Sequence, residues 1–160
     1  MIGGPLASRL GMELIDLDAS IVAVAQRSIP EIFEADGERG FRDLETAALR
    51  LALAAEQPSV LACGGGIVTV AENLDLLREA AVTVYLTAEL TVLSARLATS
   101  PTRRPLLDGD LGDRLAALAS AREPLYRQAA QVVVDVDAPI AVVVDRIIEE
   151  LAVHDASLTT

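Results

Sequence analysis

The amino-acid sequence predicts a layered α/β fold built on a small parallel sheet, and three observations carry that expectation. Helical and strand-like segments alternate along the chain, the strand candidates are short apolar runs without polar alternation, and 52% of the 160 residues are hydrophobic. Strands covered by helices on both faces lose the in-out alternation of a half-exposed sheet and read as continuous apolar runs. A chain of this length has room for one domain with a real core and falls short of two ordinary ones.

The strand candidates are Leu14 to Leu17, Val60 to Cys63, Thr83 to Leu86 and Val132 to Val136. Helical signals fill the intervals. Ser28-Ile-Pro-Glu31 reads as a capping box with Pro30 in the first turn, where a missing N–H costs nothing, and Gly37 can stop that helix. From Phe41 to Ala55, the apolar residues Phe41, Leu44, Ala48, Leu51 and Ala52 recur at helical spacing, with Arg42 and Glu45 on flanking faces. A further helix is expected from Leu90 to Ala98. Pro101, Pro105, Gly109 and Gly112 make Thr99 to Gly112 an irregular, mobile loop. Helix resumes from about Asp113 to Ala130, disturbed near Pro124, and the last helix starts close to Pro139. Residues 1–153 are expected to form the domain and residues 154–160 a disordered tail.

Composition narrows the function. The core draws on Ala, Val, Leu and Ile, because aromatics are only 2% of the chain (Phe33, Phe41, Tyr85, Tyr126) and offer no platform for stacking on bases. A formal net charge of −11 and a pI near 4.4 repel polyphosphate backbones and anionic lipid, which argues against nucleic-acid and membrane-surface roles. All 13 basic residues are arginine. Cys63 stands alone, so neither an intrachain disulfide nor a cysteine-cluster metal site is available, and His154 sits in a polar terminal stretch. With no secretory signal pattern and no apolar run of membrane-spanning length, the expected location is the cytoplasm.

Three groups of residues can carry chemistry. Asp16 and Asp18 close the first strand, and ligands bind at the carboxyl ends of strands in open parallel sheets. Period-two spacing would aim both carboxylates at one face, to hold a metal through water or to accept hydrogen bonds from substrate hydroxyls; capping of the following helix is the equally open alternative. Gly64-Gly65-Gly66 follows the second strand and leaves backbone N–H groups open to an oxyanion or hydroxyl, more glycine than a tight turn needs. Arg42, Arg104 and Arg122 present guanidinium forks suited to carboxylate and phosphate, although taken singly each also reads as a solvated surface charge.

In order along the chain stand Asp16-Leu-Asp18, Ser28-Ile-Pro-Glu-Ile-Phe33 with Gly37-Glu38, Phe41-Arg42 with Glu45, Gly64-Gly65-Gly66, Arg104-Pro-Leu-Leu107 and Arg122-Glu-Pro-Leu-Tyr126. Together these motifs resemble the shikimate kinase family, and the resemblance runs from Ile2 into the last helix. It implies a three-layer, P-loop-kinase-like parallel sheet with helices on both faces. It also implies transfer of the ATP γ-phosphate to the 3-hydroxyl of shikimate, a step in aromatic amino acid biosynthesis, by a monomer. By motif position, Asp18 would bind shikimate hydroxyls and orient the attacking one, Arg42 and Arg122 would hold the carboxylate, and Gly64, Gly65 and Gly66 would present amides. Arg104 would neutralise nucleotide phosphate charge and Asp16 would assist Mg²⁺ through water.

The chain departs from the family in one respect. A strand and a G-x-x-G-x-G-K-[ST] loop precede the segment resembling Ile2 to Gly11, and Met1 stands where that loop has already ended, so the first strand is expected to be missing. No lysine elsewhere can substitute. The expectation is an N-terminally truncated shikimate kinase, inactive as written for want of a P-loop. The alternative is a non-catalytic homologue that binds a small acid or another protein.

Overall fold

The computed structural model describes residues 1–87 and 111–158, which fall into two compact units, Met1–Val82 and Thr83–Thr160. The helix expected from Leu90 to Ala98, most of the expected loop after it, and Arg104 lie outside the described residues.

In the first unit, α1 (Gly3–Leu10) is followed by β1 (Glu13–Asp16), α2 (Leu17–Ala25), α3 (Ile29–Leu53), β2 (Ser59–Ala62), a 3-10 turn (Ile67–Thr69) and α4 (Ala71–Ala80). The two strands run parallel, in register from Glu13 opposite Ser59 to Asp16 opposite Ala62. Parallel neighbours need a long crossover, which α2 and α3 supply, while α1 packs against both strands. Each strand begins and ends one residue earlier than its apolar run. For β1 this matters, because Asp18 then lies in the first turn of α2 rather than on the strand. The period-two argument that aimed Asp16 and Asp18 at one face therefore fails: the chain turns helical at Leu17, directly after Asp16.

The capping box forms as the sequence predicts. Glu31 N–H donates to the Ser28 hydroxyl at 3.4 Å; that hydroxyl donates to the Glu31 carboxylate at 2.6 Å and Ser28 N–H at 2.7 Å, and the hydroxyl first, then the N–H, holds the carboxyl below its ordinary range. Gly37 interrupts α3 with φ 69° and ψ −174°, a backbone open to glycine and strained for other residues, so a second helical stretch restarts immediately after it. α2 packs on α3 around Ile21, Ile32 and Phe41, and the Phe33 and Phe41 rings stack at 4.8 Å. The inward face of the second stretch differs from the one expected. Phe41, Glu45, Thr46 and Leu49 are buried, whereas Leu51 is 73% exposed. A carboxylate thus occupies a core-facing position, and its partner explains why.

The second unit contains β3 (Val84–Thr87), α5 (Leu111–Ala129), β4 (Val132–Asp135) and α6 (Ile140–Leu158). Its strands are also parallel, with Val84 opposite Val132 and Thr87 opposite Asp135. Val132 and Val134 are buried, as are Val143, Val144 and Ile147 of α6, which packs on β4. Burial along β4 alternates, and Val133 is 44% exposed, so this valine-rich strand is not buried on both faces as expected. Pro124 lies inside α5, where it lacks the N–H that would bond the Ser120 carbonyl. The Tyr85 and Tyr126 rings stack at 4.9 Å. With neither Gly nor Pro after Pro139 to stop it, α6 continues through the expected tail as far as Leu158.

Candidate functional site

The carboxyl ends of β1 and β2 gather the chemistry of the first unit. Asp16 ends β1 and caps α2: its Oδ1 accepts from Ala19 N–H at 3.1 Å, and its carbonyl accepts from the Ser20 hydroxyl at 2.9 Å. The capping alternative is realised, and any metal contact from Asp16 is left to its second oxygen. Among the described residues no three His, Cys, Asp or Glu side chains gather to hold a metal.

Asp18 projects from the first turn of α2 towards the glycine turn. A β-carbon placed on Gly64 would lie 3.5 Å from Asp18 Oδ1 and 3.9 Å from Glu45 Oε1, so backbone and carboxylates approach closely there. Gly66 meets a cation instead: a β-carbon there would stand 2.3 Å from Arg42 Nη2 and 2.4 Å from Nη1. A side chain at 66 would have to push the tip of Arg42 aside.

Arg42 is held from three sides. Its Nη1 donates to Glu45 at 2.9 Å, its Nη2 to Glu38 at 3.3 Å, and its guanidinium carbon sits 5.2 Å from the Phe41 ring centroid. Its Nε is buried without a partner among the described residues. Glu45 is 1% exposed, and burying a carboxylate so completely is costly unless it is paired. The pair is therefore a preorganised cation whose counter-charge comes from the same helix. Glu45 was read from the sequence only as a flanking residue. The available signal was its i+4 relation to Phe41 and i−4 relation to Leu49, which puts all three on one helix face.

Cys63 closes this group at the end of β2. Although the residue keeps solvent contact, its thiol is pushed up to about 12, first by burial of the sulfur and then by Glu45, Asp18 and Asp16. The thiolate is the reactive form. At pH 8.5 the folded protein should react with iodoacetamide at least about tenfold more slowly than the same chain in guanidinium; equal rates would show that these carboxylates do not surround the sulfur.

In the second unit, Arg122 is half-buried on α5. Its neighbour Glu123 accepts from the Tyr85 hydroxyl and from Arg127 Nε, the latter at 2.8 Å. The Tyr85 hydroxyl lowers the Glu123 carboxyl, while burial, followed by Glu123, raises the Tyr85 hydroxyl above its ordinary range. The structure thus brings together Asp18, Arg42, Gly64 and Gly66 of the residues singled out by sequence, with Gly65 between the glycines and Asp16 at the adjoining cap. Arg122 belongs to the other unit.

Comparisons with known proteins give the family and the fold. The family model for shikimate kinase matches residues 1–152. A shikimate kinase from Nitratidesulfovibrio vulgaris is 44% identical over 154 residues, covering 94% of this chain and 87% of that protein, and one from Ruegeria pomeroyi is 43% identical over 152 residues, covering 94% and 77%. Among solved structures, shikimate kinase from Acinetobacter baumannii in complex with shikimate matches with a TM-score of 0.89 at 32% identity, over 96% of this chain and 86% of that one. Shikimate kinase from Aquifex aeolicus matches with a TM-score of 0.82 at 30% identity, over 94% and 88%. With a parallel α/β fold, a half-buried arginine against a glycine turn, and relatives of one activity over nearly its whole length, the chain belongs to the shikimate kinase family.

Proposed function

We propose that this chain provides the acceptor site for ATP-dependent phosphorylation of the shikimate 3-hydroxyl. The observation that carries the reading is the Arg42 guanidinium, desolvated by Glu45 and Gly66 on one side and adjoined by Asp18 across the glycine turn. Shikimate is a small anionic polyol. Arg42 suits its carboxylate, Asp18 accepts hydrogen bonds from its hydroxyls and orients the attacking one, and the amides of Gly64, Gly65 and Gly66 add polar contacts; Arg122, in the second unit, carries the same kind of guanidinium fork. Phosphoryl transfer relies mainly on such positioning and on charge stabilisation.

The chain has no lysine, and no three metal-ligating side chains gather among the described residues. Arg104, outside the described residues, and Asp16, acting through water, are the proposed contacts for nucleotide phosphates and Mg²⁺. This shortage is what favours the second reading, a homologue that binds a small acid without catalysis.

The proposal extends to residues 1–153 acting as one domain, as a cytoplasmic monomer. No helix of the described residues is long and apolar enough to cross a membrane. Titration calorimetry tests the acceptor site directly. Shikimate should bind and gluconate, a linear acid of similar polarity, should not compete; a chain that folds and ignores shikimate would end the proposal.

A further inference from the structure

Asn73, in the first turn of α4, is 0% exposed. Its Nδ2 donates to the Ile67 carbonyl at 3.2 Å, while its Oδ1 is buried without a partner among the described residues. Only the amide nitrogen can face that carbonyl, since a carbonyl accepts and never donates. A buried amide whose carbonyl oxygen has no partner is a net cost, and a leucine has the same branched outline, though bulkier, without that orphan. Packing therefore does not account for the residue. What the amide contributes is its one bond, and that bond falls on the opening residue of the 3-10 turn.

The same turn is tied at its other end. The Thr69 hydroxyl donates to the Gly66 carbonyl at 2.6 Å, Thr69 N–H donates to the same oxygen at 3.0 Å, and Ile67 N–H donates to the Gly64 carbonyl at 3.1 Å. The Thr69 hydroxyl thus ties the carbonyl of Gly66 and the Asn73 amide that of the next residue, Ile67, and a β-carbon on Gly66 would overlap the Arg42 guanidinium. We propose that Asn73 and Thr69 are positioning residues, bracing the turn from Gly64 to Thr69 so that Gly66 holds Arg42 in the orientation that receives the substrate carboxylate. This rests on the reading of Arg42 as a carboxylate ligand.

The test compares Thr69→Val, which keeps the shape and loses the hydroxyl, with Thr69→Ser, which keeps the hydroxyl, and with Asn73→Leu, all in the full chain. Shikimate affinity by calorimetry should fall about tenfold in Thr69→Val and in Asn73→Leu, the factor carried by one hydrogen bond of ~1.4 kcal/mol, and Thr69→Ser should stay within about twofold of wild type. Hydrogen exchange at the buried Arg42 Nε–H reads the brace without substrate: faster in Thr69→Val and Asn73→Leu, unchanged in Thr69→Ser. Wild-type affinity in Thr69→Val, or a loss in Thr69→Ser as large as in Thr69→Val, overturns the inference. If wild type itself does not bind shikimate, the functional reading falls, and the exchange measurement still decides whether the brace exists. Should Asn73→Leu fail to fold, the pair of Thr69 variants decides alone.

Discussion

Replacing Arg42 by alanine should unfold much of the protein population and abolish shikimate binding, and the two losses should separate on a second substitution. The first follows from Glu45, whose side chain is 2% exposed and whose carboxylate would lose its 2.9 Å partner. Stranding a buried charge costs about 3–5 kcal/mol, a large share of the ~5–15 kcal/mol that holds a domain together. Adding Glu45→Gln removes the stranded charge, so urea denaturation of Arg42→Ala/Glu45→Gln should recover most of the stability. Shikimate binding should stay lost, because the cation is gone. A double variant that binds shikimate like wild type would remove Arg42 from the site. A single variant with unchanged stability would show that the buried pair is not a structural dependency.

The second large effect concerns turnover. A polypeptide of these 160 residues, which include no lysine, should bind shikimate yet phosphorylate it with ATP and Mg²⁺ at no more than trace rates. Losing one preorganised donor typically costs about 3 kcal/mol, or 10²–10³ in rate, and a P-loop supplies several donors together with a metal ligand. A version extended in frame ahead of Met1 by a strand and a G-x-x-G-x-G-K-[ST] loop should therefore turn over more than about 10³-fold faster in an ADP-release assay. Matching rates for the two polypeptides would show that arginines alone can serve the nucleotide.

How much of this was legible in the sequence depends on the range of the interaction involved. The capping box at Ser28 and the break at Gly37 are local, set by side chains a few residues apart, and both form as read. The parallel pairing of β1 with β2 and β3 with β4 was legible in kind, with boundaries off by a residue. At Asp16 the shift changes the chemistry, because a carboxylate read as ending a strand is also the cap of the next helix, and pattern alone gave both roles equal standing. Glu45 was missed for a physical reason. Apolar periodicity assumes that charges face water, and a carboxylate neutralised by an arginine three residues earlier violates that assumption. Asn73 was likewise invisible, since its importance lies in a bond to Ile67 that only the turn geometry creates. Gly66 was legible as a glycine and as part of a site, while the guanidinium pressed against it was not.

The interruption at Gly37 has a mechanical consequence for Arg42. An unbroken helix would transmit bending and rotation along its hydrogen-bond ladder from Ile29 to Leu53, so a disturbance near Pro30 would reach the guanidinium as torque. The φ of 69° at Gly37 cuts that shaft, and Arg42 takes its bearing from a helical stretch that begins only after the break. The halves stay in touch through the Phe33–Phe41 stack at 4.8 Å, a sliding contact without directional bonds. Sequence drift in the Ile29–Asp36 stretch thus reaches the cation through the Phe33–Phe41 packing and not through a continuous helix ladder.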